Sequence, residues 1–179
     1  MQDQILNYVE RCRQGDSAAF RHIAEEYQHL VYTLAFRLLC NEPEARDITQ
    51  DTFIKVWLNI DRYNGRYRFS TWIYRIACNC CYDLLRSRRG TLSAELTDCE
   101  TVTTETGPEE HLLNREMKEL IVKFTGELSP KQKIVFTLSE MEGLDVKEIT
   151  IITGMSPGKI KSNLFLARKY IKSKIVDYE

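Results

Sequence analysis

Between Arg62 and Arg75 the chain interleaves five aromatic residues (Tyr63, Tyr67, Phe69, Trp72, Tyr74) with four arginines (Arg62, Arg66, Arg68, Arg75). Aromatic faces stack on unpaired bases while guanidinium groups follow the phosphates, so this combination suits single-stranded nucleic acid better than duplex. Asn64 and Gly65 lie in the same stretch, and a glycine there lets the backbone turn or approach a base closely. Trp72 and Phe69 are also good core residues, since large aromatics dominate cores. Tyr63, Tyr67 and Tyr74 cannot all point inward with Trp72, which leaves aromatic surface for a partner.

A second constellation lies near the C-terminus. From 157 to 174 there are six basic residues (Lys159, Lys161, Arg168, Lys169, Lys172, Lys174) and no acid, while Ile160, Leu164, Ala167 and Ile171 recur at helical spacing. An ordinary exposed helix mixes signs to gain Glu–Lys pairs; a face of one sign points to a polyanion. Just upstream, Asp145-Val146-Lys147-Glu148 reads as a capping box opening a short helix to about 153. Gly154, Met155 and Ser156 follow as a tight turn, and Pro157 starts a longer helix. This order is that of a helix-turn-helix, whose second helix enters the major groove with its N-terminal residues against base edges. Here those residues are Pro157, Gly158, Lys159, Lys161 and Ser162.

Catalytic chemistry has no comparable signature. The chain lacks a P-loop, a Gly-rich dinucleotide turn and a His-Glu-x-x-His, and its histidines (22, 29, 111) are scattered. A nuclease or a thiol redox enzyme is therefore disfavoured, and no enzymatic activity or cofactor is expected. Cys78 and Cys81 have zinc-like spacing, but they fall inside a helical pattern with no second Cys or His pair suitably placed. The six cysteines (12, 40, 78, 80, 81, 99) are expected to be reduced and mostly buried, and no metal is expected.

The elements that must carry these residues are helices. Apolar positions Phe20, Ile23, Tyr27, Leu30, Val31, Leu34 and Leu38 recur at spacings of three and four, with Asp16 as N-cap. A second helix is expected from Asn41, which caps through the Asn-x-x-Glu spacing to Glu44, to about Ile60. A third is expected with Ser70 as N-cap, carrying Trp72, Ile73, Ile76, Ala77, Cys80, Leu84 and Leu85 inward and ending at Arg86, Arg88, Arg89 and Gly90. Ser129-Pro130-Lys131-Gln132 writes another capped start. Strand alternation is absent. The expected fold is all-α, with two small helical domains at 1–90 and 111–179 joined by an acidic flexible linker at 91–110. That linker holds six acids, no Lys or Arg and a Gly-Pro.

The net charge of -1 gives no overall case for nucleic acid, but its distribution does. Seven bases stand against two acids over 61–90 and nine against six over 128–179, with an acidic block between them. The amphipathic start is unlike a signal peptide and no apolar run is long enough to span a membrane, so a cytoplasmic protein without membrane insertion is expected.

Taken together, these segments resemble the bacterial extracytoplasmic-function RNA polymerase sigma factors, which keep only regions two and four. The residues that carry the likeness are Ala45-Arg-Asp-Ile-Thr-Gln-Asp-Thr-Phe-Ile-Lys-Val-Trp57, Phe69-Ser-Thr-Trp-Ile-Tyr-Arg-Ile-Ala77 with Asn79, Asp83 and Arg86, and Leu128-Ser-Pro-Lys-Gln-Lys. Glu142-Gly-Leu, Gly158-Lys-Ile-Lys-Ser162 and Ala167-Arg168-Lys169 complete them.

The resemblance implies a chain that binds core RNA polymerase and directs promoter-specific initiation. Asp47, Gln50, Asp51, Phe53, Lys55 and Trp57 would dock on polymerase. Arg62, Tyr63, Asn64, Arg66, Tyr67, Arg68, Phe69, Trp72, Arg75 and Asn79 would take the melted minus-ten strand. Pro157, Gly158, Lys159, Lys161, Ser162, Phe165, Arg168 and Lys169 would take the duplex minus-thirty-five element. It also implies an anti-sigma factor as inhibitory partner. Asn163 and Leu166 stand where many relatives carry arginine, so the minus-thirty-five sequence cannot be copied from them. The rival reading is a stand-alone helix-turn-helix regulator with an N-terminal sensor or dimerisation bundle, which leaves the aromatic and basic segment unexplained.

Overall fold

The computed structural model describes residues 2–91 and 124–176. Among these the regular elements are helical, with no strand. The expected acidic linker falls almost wholly outside them, as does Cys99.

In the N-terminal domain α1 (Gln2–Arg13) presents Ile5, Val9 and Cys12 to α2 (Ser17–Leu39), one helical stripe with none of the three more than 3% exposed. Asp16 caps α2, its side chain accepting from the amides of Ala18 and Ala19, and Arg11 donates to the same carboxylate at 2.7 Å. Those bonds hold the Asp16 carboxyl below its ordinary pKa, the arginine contributing most. The helix buries Ala19, Ile23, Val31, Leu34, Ala35, Leu38 and Leu39; Phe20, Tyr27 and Leu30 of the expected stripe are only partly covered. Burial of a side chain such as Leu34 or Leu38 contributes about 1.5–3 kcal/mol.

Cys40 ends α2 at a φ of 52°, and Asn41 caps α3 (Glu42–Leu58), accepting from the Glu44 amide at 3.0 Å. A short 3-10 turn, Ile60–Arg62, leads into the loop before α4 (Phe69–Thr91). Here the expected start needs correction. Ser70 lies inside α4 rather than capping it, because the Trp72 amide already donates to the Arg68 carbonyl, closing the first turn earlier. The helix also runs through Gly90 to Thr91 instead of stopping at the basic run.

The C-terminal domain follows its caps. Ser129 and Gln132 form a capping box that starts α5 (Pro130–Phe136), which continues into one wide π-type turn, Thr137–Met141. Asp145 and Glu148 cap α6 (Val146–Thr153) reciprocally. Gly154 ends it at φ 69°, a left-handed conformation that suits glycine, and α7 (Pro157–Val176) begins three residues later. Ile160, Leu164, Ala167 and Ile171 bury the inner face of α7, and Ile149 and Ile152 of α6 are 1% exposed.

The two domains share one continuous apolar cluster, because α5 and α6 pack against α4. No helix among the described residues is long and apolar enough to cross a membrane.

Candidate nucleic-acid and polymerase interfaces

The aromatic and basic segment divides into an inner and an outer set. Tyr63 and Phe69 are 3% and 2% exposed, their rings meeting edge to face at 5.1 Å, with Trp72 within 5.4 Å of both. Tyr27 of α2 completes the cluster against Phe69. The Tyr63 hydroxyl donates to the Tyr67 carbonyl at 2.8 Å, and Arg13 donates to the Tyr63 carbonyl. Burial raises the Tyr63 phenol pKa.

Tyr63 and Phe69, both expected on the strand path, therefore brace the loop, neither more than 3% exposed. The reason is that their rings fill the gap between α2 and the start of α4. Tyr74 also points inward, toward the C-terminal domain. The outer set is Arg62, Asn64, Arg66, Tyr67, Arg68, Arg75 and Asn79, all exposed, with Trp72 half-buried at its edge. Gly65 adopts φ 69° and Asn64 accepts from the Arg66 amide, which folds the loop back on itself. The Arg66 guanidinium lies 5.6 Å from the Tyr67 ring centre, so an exposed aromatic face and a cation sit together beside the row of arginines.

On α7, Pro157, Gly158, Lys159, Lys161, Ser162, Phe165, Arg168 and Lys169 are all exposed. They differ in what already engages them. Arg168 donates to Glu140 at 2.7 Å and Lys174 lies 3.8 Å from Glu127, so these two cations are partly neutralised within their own domain. Tyr170 also donates to Glu127. Lys159, Lys161, Lys169 and Lys172 have no ion pair among the described residues, and the positive N-terminal end of the helix dipole adds to the field near Lys159 and Lys161.

The proposed docking residues on α3 fall on two sides of the helix. Gln50, Phe53 and Trp57 line a groove of about 790 Å³ between α2 and α3, together with Phe20, His29 and Tyr32. The Phe20 ring meets Trp57 edge-on at 5.0 Å. Ile54 and Leu58 complete its rim at 49% and 72% exposure. Asp47, Asp51 and Lys55 are exposed outside this lining. Lys55 donates to the Cys80 sulfur of α4 at 3.2 Å, which holds its ammonium pKa above the ordinary value. The groove's α2 half was missed in the sequence because Phe20 reads as a core position there. Exposed apolar residues at 54 and 58, one turn apart, were the available signal.

Between the domains, the Glu142 carboxylate accepts from the Tyr74 hydroxyl at 2.6 Å and from Arg37 at 2.5 Å, and Arg37 also donates to the Met141 carbonyl. Burial, then the bond to Glu142, raises the Tyr74 phenol pKa well above the usual tyrosine range. Lys133 is 3% exposed and donates to the Cys40 sulfur at 3.5 Å. The five described cysteines are buried thiols outside any disulfide. Burial raises the Cys78 thiol pKa strongly and takes that of Cys81 to about 12, so neither is poised as a thiolate. No group of His, Cys, Asp or Glu that could hold a metal occurs among the described residues.

Comparison with known proteins agrees with this layout. Residues 23–91 match the family model for Sigma-70 region 2 and residues 118–171 that for Sigma-70, region 4. The chain is 30% identical over 186 residues to the ECF RNA polymerase sigma factor SigW of Bacillus subtilis, covering 99% of this chain and 100% of that one. It is 31% identical over 182 residues to the ECF RNA polymerase sigma-E factor of Escherichia coli K12, covering 97% and 94%. Its fold is similar to that of the sigma factor RpoE in its co-crystal with the anti-sigma factor NepR from Bartonella quintana, with a TM-score of 0.71 at 21% identity over 87% of this chain and 96% of that one. With both regions matched in order and a 30% identical relative aligned over nearly its full length, the chain belongs to the ECF sigma factors of RNA polymerase.

Proposed function

We propose that the chain works in the cytoplasm as two domains, residues 1–90 and 111–179, bridged by the acidic segment 91–110, and that each domain takes a different form of promoter DNA. The α2–α3 groove, with Phe53, Trp57, Ile54 and Leu58, docks on core RNA polymerase, and Asp47, Asp51 and Lys55 supply polar contacts beside it. Tyr67 and the open side of Trp72 stack on the melted minus-ten strand, with Arg62, Arg66, Arg68, Arg75 and Asn79 along its backbone. Tyr63 and Phe69 position that platform. The outer face of α7 takes the minus-thirty-five duplex. The chain contributes no chemistry of its own; bond formation belongs to the polymerase. An anti-sigma partner belongs to this reading, since the similar RpoE was crystallised with NepR.

The observation that carries the reading is the pairing, on one chain, of an exposed aromatic face among arginines with a separate helix whose Lys159, Lys161, Lys169 and Lys172 have no ion pair among the described residues. Run-off transcription with core polymerase on a promoter library tests it. Initiation from a defined promoter set that requires the chain is expected. Failure to bind core polymerase, or initiation indifferent to promoter sequence, overturns it.

A further inference from the structure

Phe165 and Leu166 are 66% and 46% exposed on a helix whose outward charged residues are all cationic. Single exposed apolar residues are common on protein surfaces, so exposure alone decides nothing. Their position does. At about 100° per residue the inner stripe of Ile160, Leu164, Ala167 and Ile171 puts Ser162 and Lys169 on the line furthest from the core. Phe165 and Leu166 flank that line on either side, in the third turn, about 12 Å along the axis from Pro157.

The reading chemistry left on this face is narrow. Recognition by paired hydrogen bonds uses Arg or Lys for guanine and Asn or Gln for adenine, so the lysines here can read guanine alone. Arg168 is held by Glu140 at 2.7 Å, and the Asn163 amide donates to the Lys159 carbonyl at 2.7 Å within its own helix. In the second and third turns what remains outward is lysine, the Ser162 hydroxyl and two large apolar side chains. Apolar side chains discriminate in the major groove by contact with the C5 methyl group of thymine. The surrounding Lys159, Lys161, Lys169 and Lys172, with no acid from 157 to 174, select a polyanion over an apolar protein as the occupant of this face.

We propose that Phe165 and Leu166 are thymine-methyl readers, and that the duplex element this chain selects carries thymine opposite the third turn of α7. The inference rests on the assignment of α7 to duplex DNA and specifies how that helix discriminates.

The test uses the full chain with core RNA polymerase. Duplexes are selected from a randomised pool, and each thymine of the selected sequence is then replaced singly by deoxyuridine, which removes only the methyl group. Affinity is expected to fall about fourfold for each buried methyl removed, at one or two positions only. Phe165→Ala and Leu166→Ala should each abolish the sensitivity at one of them, whereas Lys169→Ala should weaken thymine and uracil duplexes alike. Both apolar residues lie outside the core, so the variants should remain folded. Selective binding with every deoxyuridine substitution neutral overturns the inference and leaves α7 as a duplex reader. Sensitivity that persists unchanged in both variants also overturns it, and a loss of polymerase binding in those variants would assign the patch to protein instead. A selection that returns no preferred duplex takes down the α7 assignment together with the inference, and the missing motif distinguishes that result from the others.

Discussion

In the loop ahead of α4 and the first turn of that helix, the rings beside the candidate strand path also hold the N-terminal domain together, whereas the outward residues of α7 stand clear of the core. Tyr63, Phe69 and Trp72 lie within 5.4 Å of one another, and Phe69 is 2% exposed; Phe165 is 66% exposed. A surface that must open a duplex needs a rigid platform, because a stacking face that yields returns no free energy to the melted strand. A surface that reads an intact groove can leave its side chains free to settle on base edges. Substitutions at the three packed rings therefore change folding and function together, and on α7 they separate.

The largest effect should come from Phe69→Ala, with a loss of about 3–5 kcal/mol of stability by denaturant titration. Phe165→Ala should stay within about 0.5 kcal/mol of the parent. Equal effects would erase the distinction between the regions. Next, Tyr67→Ala should leave stability nearly unchanged while removing about 1–3 kcal/mol of stacking per base. Run-off transcription should fall on duplex templates and much less on templates already unpaired at minus ten. An equal fall on both would assign Tyr67 to binding instead of opening.

Glu142→Ala sharpens the comparison by loosening the domains from each other, at about 1 kcal/mol for each hydrogen bond lost to Tyr74 and Arg37. Hydrogen exchange should rise in α4 around Tyr74 and in α5, and stay unchanged in α1. The same junction has a pH signature. The Tyr74 phenol is raised in the folded chain, so its contribution is complete below the ordinary tyrosine value near 10 and is lost as pH rises through the raised value. Tyr74→Phe should flatten the alkaline limb of the stability curve and leave the neutral region flat. The smallest effect is expected from Lys169→Ala, which should lower the salt slope of duplex binding by about 0.9 if one phosphate contact is lost. Arg168→Ala should change that slope less, because Glu140 already neutralises the arginine.

What could be read from the sequence was local. Asp16, Asn41, Ser129 and Asp145 are caps because the groups they bind lie two or three residues away, and the turn at Gly154 follows from one residue's tolerance of positive φ. Ser70 failed as a cap by the same local logic, since a carbonyl two residues earlier had already taken the turn's hydrogen bond. The bonds between domains were not legible, because Arg37 and Glu142 are 105 positions apart and Cys40 and Lys133 are 93. No periodicity encodes such a meeting. The candidate sites fared likewise. The α7 face was read from its spacing, while the split between bracing and exposed aromatics depended on Tyr27 of another helix.

Lys133 gives the chain a chemical clock. The residue is 3% exposed, its amine against Cys40 of the other domain, and it is the buried charged side chain among the described residues. An amine-reactive reagent can modify it only during the intervals when the domains part, while Lys161 and Lys169 react at the free rate. If separation costs about 2 kcal/mol, labelling of Lys133 lags by roughly thirtyfold. Any partner that holds the domains apart brings that lag toward one, so the ratio of two acylation rates in one tube follows the opening of the molecule with no label engineered into the chain.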